Sequence, residues 1–159
     1  MSKKEDIIIN LLKIIRPYQW VKNSLVFLPM IMAHDLNLRS FFNSGVCFFI
    51  FSLVASSIYV INDIADKESD IKHPYKKNRP YAAGLIKIDH CIYLVISLLI
   101  ICVLLLINTN KNFIILIIIY FTISNVYTFF LKKIIFIYLL ILSWLYTLRI
   151  IGGGLISDI

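Results

Sequence analysis

The run Phe41–Ile61, FFNSGVCFFIFSLVASSIYVI, holds 21 consecutive residues without a charge. A bilayer core about 30 Å thick is crossed by roughly 20 apolar helical residues, so this run fits one membrane span. Cys91–Ile107, Phe113–Leu131 and Ile134–Leu148 repeat the pattern, uncharged over 17, 19 and 15 residues. A chain with 60% hydrophobic residues, 16% charged residues and mean hydropathy +0.85 could not keep such runs in solution as a soluble domain. The expected fold is therefore all-α, a polytopic transmembrane helical bundle making one membrane domain over residues 1–159. Its spans are expected near 17–33, 41–61, 91–107, 113–131 and 134–156, with a substrate loop at 62–90. The 17–33 span is the least regular, because it contains Lys22 and Asn23 and Pro29 would kink it.

The opening stretch MSKKEDIIINLLKIIRP is broken by Lys13 and Arg16 and is followed by no small-residue cleavage site. It reads as an interfacial amphipathic helix rather than a signal peptide. Cys47, Cys91 and Cys102 fall inside apolar runs without metal-like spacing and read as small buried hydrophobes.

Thirteen of the 16 Lys and Arg lie before or within the first span, between the second and third, or between the fourth and fifth. Only Arg39 and Lys111 fall on the other side, and Arg149 stands inside the last span. The positive-inside rule puts the amino terminus and the 62–90 loop in the cytoplasm, as in a bacterial-type inner membrane. The net charge of +7 is explained by this bias, and nucleic-acid binding is not needed to account for it.

The loop opens with NDIADKESD, where Asp63, Asp66 and Asp70 are spaced i, i+3 and i+7, on one face if the stretch is helical. Asn62 shares that face. Three neighbouring carboxylates repel one another unless something positive sits among them. A hard divalent cation such as Mg²⁺ suits them, taking oxygen ligands and sharing itself with substrate phosphates. The competing reading is a solvated helix end in which Lys67 and Glu68 make surface pairs. IKHPYKKNRPYAAG follows, and its Lys72, Lys76, Lys77 and Arg79 add anion-binding cations beside the acids, the layout a diphosphate requires. Lys76 and Lys77 equally suit anionic lipid head groups, and His73, beside Pro74, reads as structural.

On the same side lie RPYQWVKN, with Arg16, Trp20, Lys22 and Asn23, and VYTFFLKK, with Tyr127, Lys132 and Lys133. Each alone reads equally as an interfacial anchor. Together with the acidic stretch they read as walls of one pocket. Arg149, 15 residues into the last uncharged run, is costly in lipid and is expected to face the bundle interior.

NDIADKESD fits the NDxxDxxxD motif of the UbiA superfamily of intramembrane transferases, which the sequence resembles from about residue 12 onward. RPYQWVKN, SSIYVINDIADKESDIKHPYKKNRPYAAG and YTFFLKK are most similar to its decaprenyl-phosphate phosphoribosyltransferase branch. The resemblance implies a helical membrane bundle of about nine helices, of which about five are present, so the chain resembles an amino-terminal fragment. It implies Mg²⁺ bound by Asp63, Asp66 and Asp70, with Asp63, Asp66 and Lys22 catalytic. It further implies substrate contacts from Asn62, Arg79, Tyr127 and Lys132, to which the basic loop adds Lys76.

The donor implied is phosphoribosyl diphosphate and the lipid acceptor a polyprenyl phosphate, in cell-envelope precursor synthesis. An aromatic prenyltransferase of quinone biosynthesis and a non-catalytic bundle or inactive fragment are the alternatives. A second chain or an oligomer would supply the missing helices.

Overall fold

The computed structural model describes residues 3–131, 135–157 and 159, and every regular element among them is helical. Helix α1, Lys3–Ile14, leads into a 3-10 helix over Pro17–Phe27 and a short α2, Leu28–Met32. Helix α3 runs over Leu38–Ala65, α4 over Lys67–Lys72, α5 over Ile88–Leu106 and α6 over Lys111–Val126. A π-helical turn at Tyr127–Leu131 extends α6, and α7 covers Ile135–Ser157.

Four helical stretches are long and apolar enough to cross a membrane: Leu38–Ala65, Ile88–Leu106, Lys111–Leu131 and Leu139–Ser157. The 17–33 segment, expected as one span, is instead helical in two pieces. Pro17 stands at the start of the first and Pro29 at the start of the second, positions where a missing N–H costs nothing because the first turn leaves it unpaired.

Helix α3 is the axis of the bundle. Asn37 caps it, its Oδ1 accepting from the Ser40 N–H at 2.8 Å, one of the orphan donors of a first turn. Its 28 residues rise about 42 Å at the α-helical pitch, longer than a hydrocarbon core of about 30 Å. Excess length of this kind lets polar Asn62 and Asp63 stand in the last turn of the helix, beyond its uncharged run. Phe51 sits at the centre with its ring edge-on to Tyr120 at 5.1 Å and to Phe113 at 6.3 Å.

Small side chains let α7 and the 17–27 segment close on α3. A Cβ on Gly153 would lie 2.0 Å from the Val26 carbonyl oxygen, and one on Gly152 2.7 Å from the Phe51 ring. Serines on α3 then tie the 17–27 segment down. Ser52 Oγ accepts from Asn23 Nδ2 at 2.9 Å, and Ser56 Oγ accepts from Trp20 Nε1 at 3.0 Å while donating to the Ile15 carbonyl at 3.0 Å. By contrast α5 keeps most of its surface outward, with Ile96, Ile100 and Leu104 exposed, as a lipid-facing helix does.

Candidate functional site

A cavity of about 550 Å³ opens where α3 and α6 end. Among the described residues, Arg16, Lys22, Lys76, Arg79 and Arg149 line it, with Asp66 as the one carboxylate. Tyr59, Tyr120, Tyr127 and Tyr146 supply aromatic walls. Five cations facing one acid make the cavity a receptor for anions.

Arg16 reaches the site because its backbone turns left-handed, φ 52° and ψ 61°, between α1 and the 3-10 helix. That conformation costs a non-glycine residue about 1 kcal/mol or more, and it swings the guanidinium 5.2 Å over the Tyr59 ring and onto Asp63. Arg79 arrives from the other side, past the turn at 73–78. The widened π-helical turn after α6 turns Tyr127 and Thr128 toward the cavity, a common position for such turns at functional sites.

The three aspartates separate into two kinds. Asp63 and Asp70 are buried, 2% and 1% exposed, behind the cavity wall. Asp63 Oδ1 accepts from Arg16 Nη2 at 2.5 Å and from Arg79 Nη1 at 3.0 Å, and Asp70 Oδ2 accepts from the same Arg79 nitrogen at 2.6 Å. Asp66, half-buried, faces the cavity beside Asn62. The expected single carboxylate face is therefore interrupted: α3 ends at Ala65, Asp66 takes φ −94° and ψ 3°, and α4 begins at Lys67. For Asp63 and Asp70 the positive partner that close carboxylates require is supplied by Arg16 and Arg79.

Among the described residues no three His, Cys, Asp or Glu side chains converge as a metal site. The donor chemistry nonetheless suits a hard cation. Its oxygens are carboxylates and an amide, and Asp70 Oδ1 is a buried acceptor with no hydrogen-bond partner among the described residues, a position that asks for a cation or a donor.

Deeper in the bundle, Arg149 is 6% exposed. Its Nε donates to Asn23 Oδ1 at 2.7 Å, Nη1 to the Leu145 carbonyl at 2.6 Å and Nη2 to the Tyr120 hydroxyl at 2.8 Å. These oxygens are uncharged. The guanidinium also stacks near Tyr120 and Tyr146, at 5.2 and 5.3 Å from the ring centroids.

Of the residues picked out in the sequence, Lys22, Asn62, Asp66, Lys76, Arg79 and Tyr127 line one cavity, whereas Asp63 and Asp70 stand behind it. Lys132 lies outside the described residues. Sequence reasoning gave Arg16 no partner and missed Tyr120, Ser124 and Thr128. Their spacing of i, i+4 and i+8 along an apolar stretch is a polar stripe that could have found them.

Fold and site together define a polytopic helical membrane protein with a cation-lined cavity at one end of its bundle. The chain belongs to the UbiA prenyltransferase family, whose sequence model matches residues 24–157. It is 33% identical to a decaprenyl-phosphate phosphoribosyltransferase of Mycolicibacterium smegmatis, over 98% of this chain and 50% of that one. It is 34% identical to the nodulation protein NoeC of Azorhizobium caulinodans, over 91% of this chain and 47% of that one. A decaprenyl-phosphate phosphoribosyltransferase of Corynebacterium glutamicum shares 37% identity over 56% of this chain and 28% of its own. The chain thus spans about half the length of the first two.

Proposed function

We propose that this chain carries the donor site of a transferase with a diphosphate leaving group, moving 5-phosphoribosyl from phosphoribosyl diphosphate to a polyprenyl phosphate. The observation that carries the reading is the convergence of Arg16, Lys22, Lys76 and Arg79 with Asp66 on one cavity. Similarity to proteins named decaprenyl-phosphate phosphoribosyltransferase supports the choice of donor and acceptor. The cavity end of the bundle faces the cytoplasm, where a water-soluble donor meets a lipid acceptor.

In the reaction the bond between ribose C1 and the diphosphate oxygen breaks, and an oxygen of the lipid phosphate bonds to C1. That oxygen is already an anion and needs no strong base. The protein's task is to hold charge on the departing diphosphate, where electrostatic stabilisation has most to act on. Lys22, Lys76 and Arg79 serve as its hydrogen-bonding cations. Asp66 and Asn62 on the cavity wall, with Asp63 and Asp70 behind, would hold Mg²⁺, which when bound neutralises diphosphate oxygens. Tyr127 and Lys132 complete the substrate contacts.

Membranes carrying the chain are incubated with labelled phosphoribosyl diphosphate, Mg²⁺ and a polyprenyl phosphate. Label entering the lipid phase is the expected result. Its absence, alongside normal binding of pyrophosphate, would reject turnover by this chain. A second reading, prenyl transfer to an aromatic acceptor, draws on the four cavity tyrosines, whose ring faces stabilise an allylic cation. Product from a prenyl diphosphate and a hydroxybenzoate would favour it.

A further inference from the structure

Arg149 and Ser124 take no part in the diphosphate contacts proposed above, yet both are buried and line the cavity. A guanidinium has five N–H donors. Those named for Arg149 occupy three, all on uncharged oxygens, so its charge is held in place without being neutralised by them. Desolvating a cation in this way is costly unless an anion joins it. Ser124 is 4% exposed, and its Oγ has no hydrogen-bond partner among the described residues. A buried hydroxyl left without a partner is uncommon. Ser124 stands one turn along α6 from Tyr120, the residue that Arg149 bonds, and both spare donors line the cavity together with apolar Ile58, Leu142 and Leu145.

We infer that Arg149 and Ser124 form a second anion subsite, a seat for a phosphate monoester, separate from the diphosphate site at the mouth. Tyr120 and Asn23 are its positioning residues, since each holds the guanidinium through one hydrogen bond. The inference rests on the proposed transfer, in which two phosphate monoesters are present. One is the 5-phosphate of the donor and the other the head group of the lipid acceptor. Either satisfies the chemistry of the seat.

The purified chain in detergent is titrated calorimetrically with three probes: ribose 5-phosphate, farnesyl phosphate, and inorganic pyrophosphate with Mg²⁺. Ribose and farnesol serve as controls. Ser124→Ala breaks no side-chain hydrogen bond among the described residues and is expected to leave folding intact. It is expected to weaken one monoester about tenfold, and Arg149→Gln about a hundredfold, the usual range for charge-assisted bonds. Pyrophosphate affinity should stay within about twofold in both, while Arg79→Gln does the reverse. Dependence of ribose 5-phosphate on Arg149 assigns the seat to the donor, and dependence of farnesyl phosphate assigns it to the acceptor.

If Arg149→Gln fails to fold, Ser124→Ala decides, and an unchanged monoester affinity overturns the inference. Pyrophosphate binding without any monoester binding also overturns it and leaves the proposed transfer standing. A wild-type chain that binds none of the three rejects both.

Discussion

Arg79 Nη1 lies 2.6 Å from Asp70 Oδ2, and this bond closes the turn at 73–78 back onto α4. The same nitrogen reaches Asp63 at 3.0 Å, so one guanidinium fastens the loop to the ends of two helices. Removing it leaves Asp70 buried without its cation. Arg79→Gln is therefore expected to lower stability in detergent by about 2–3 kcal/mol, less than the loss of a fully buried pair because the arginine side chain is 23% exposed. Adding Asp70→Asn should recover part of that loss. A thermal-unfolding double-mutant cycle measures it, and strictly additive effects would reject the latch.

Asp66 differs from its neighbours in lining the cavity itself beside Asn62, half-buried where Asp63 and Asp70 are fully buried. Asp66→Asn should weaken Mg²⁺-dependent pyrophosphate binding by at least about tenfold, with a smaller effect on melting than Asp63→Asn. Chelating the metal should reduce wild-type affinity to the level of that variant. Calorimetry with and without chelator checks both, and equal binding in the presence and absence of Mg²⁺ would remove the metal from the scheme.

Helix α7 can approach the 17–27 segment only at a residue without a side chain. Gly153→Ala puts a carbon 2.0 Å from the Val26 carbonyl, and the backbone atom it meets cannot rotate away. Overpacking of this kind costs about 1–3 kcal/mol or more. Gly45→Ala is the matched control, a glycine within α3 with nothing within 4 Å of the added carbon. It should be neutral or add up to about 1 kcal/mol from helix propensity. Comparison of the two melting temperatures in one detergent tests the contact, and equal values would discount it.

The helical bundle was legible because hydropathy runs such as Phe41–Ile61 respond to one dominant force, the exclusion of polar backbone from lipid. Lys22, Asn62, Asp66, Lys76, Arg79 and Tyr127 were legible as a group since charge and amide side chains at the ends of apolar runs have few structural uses. What failed was local geometry. Periodicity put three aspartates on one continuous helix face, but the helix breaks at Asp66, and Asp63 is held by Arg16 and Arg79. Those partners stand 47 and 16 residues from Asp63 in the chain, and no local spacing reveals them. The polar stripe at 120, 124 and 128 was readable, but the role of Ser124 was not, since it turns on a buried hydroxyl without a hydrogen-bond partner among the described residues.

The orientation proposed for the bundle rests on charge bias and is tested independently of catalysis. Lys77 is exposed in the turn beside the cavity, and Lys111 is exposed at the start of α6, whose other end reaches the cavity. The two therefore stand at opposite ends of the bundle. The native thiols give little background, because Cys47, Cys91 and Cys102 are buried within apolar helices. In intact cells a membrane-impermeant maleimide should label Lys111→Cys and leave Lys77→Cys unmodified until the membrane is opened. The reverse pattern would place the cavity outside the cytoplasm, away from any soluble sugar diphosphate, and the proposed donor would have to be abandoned.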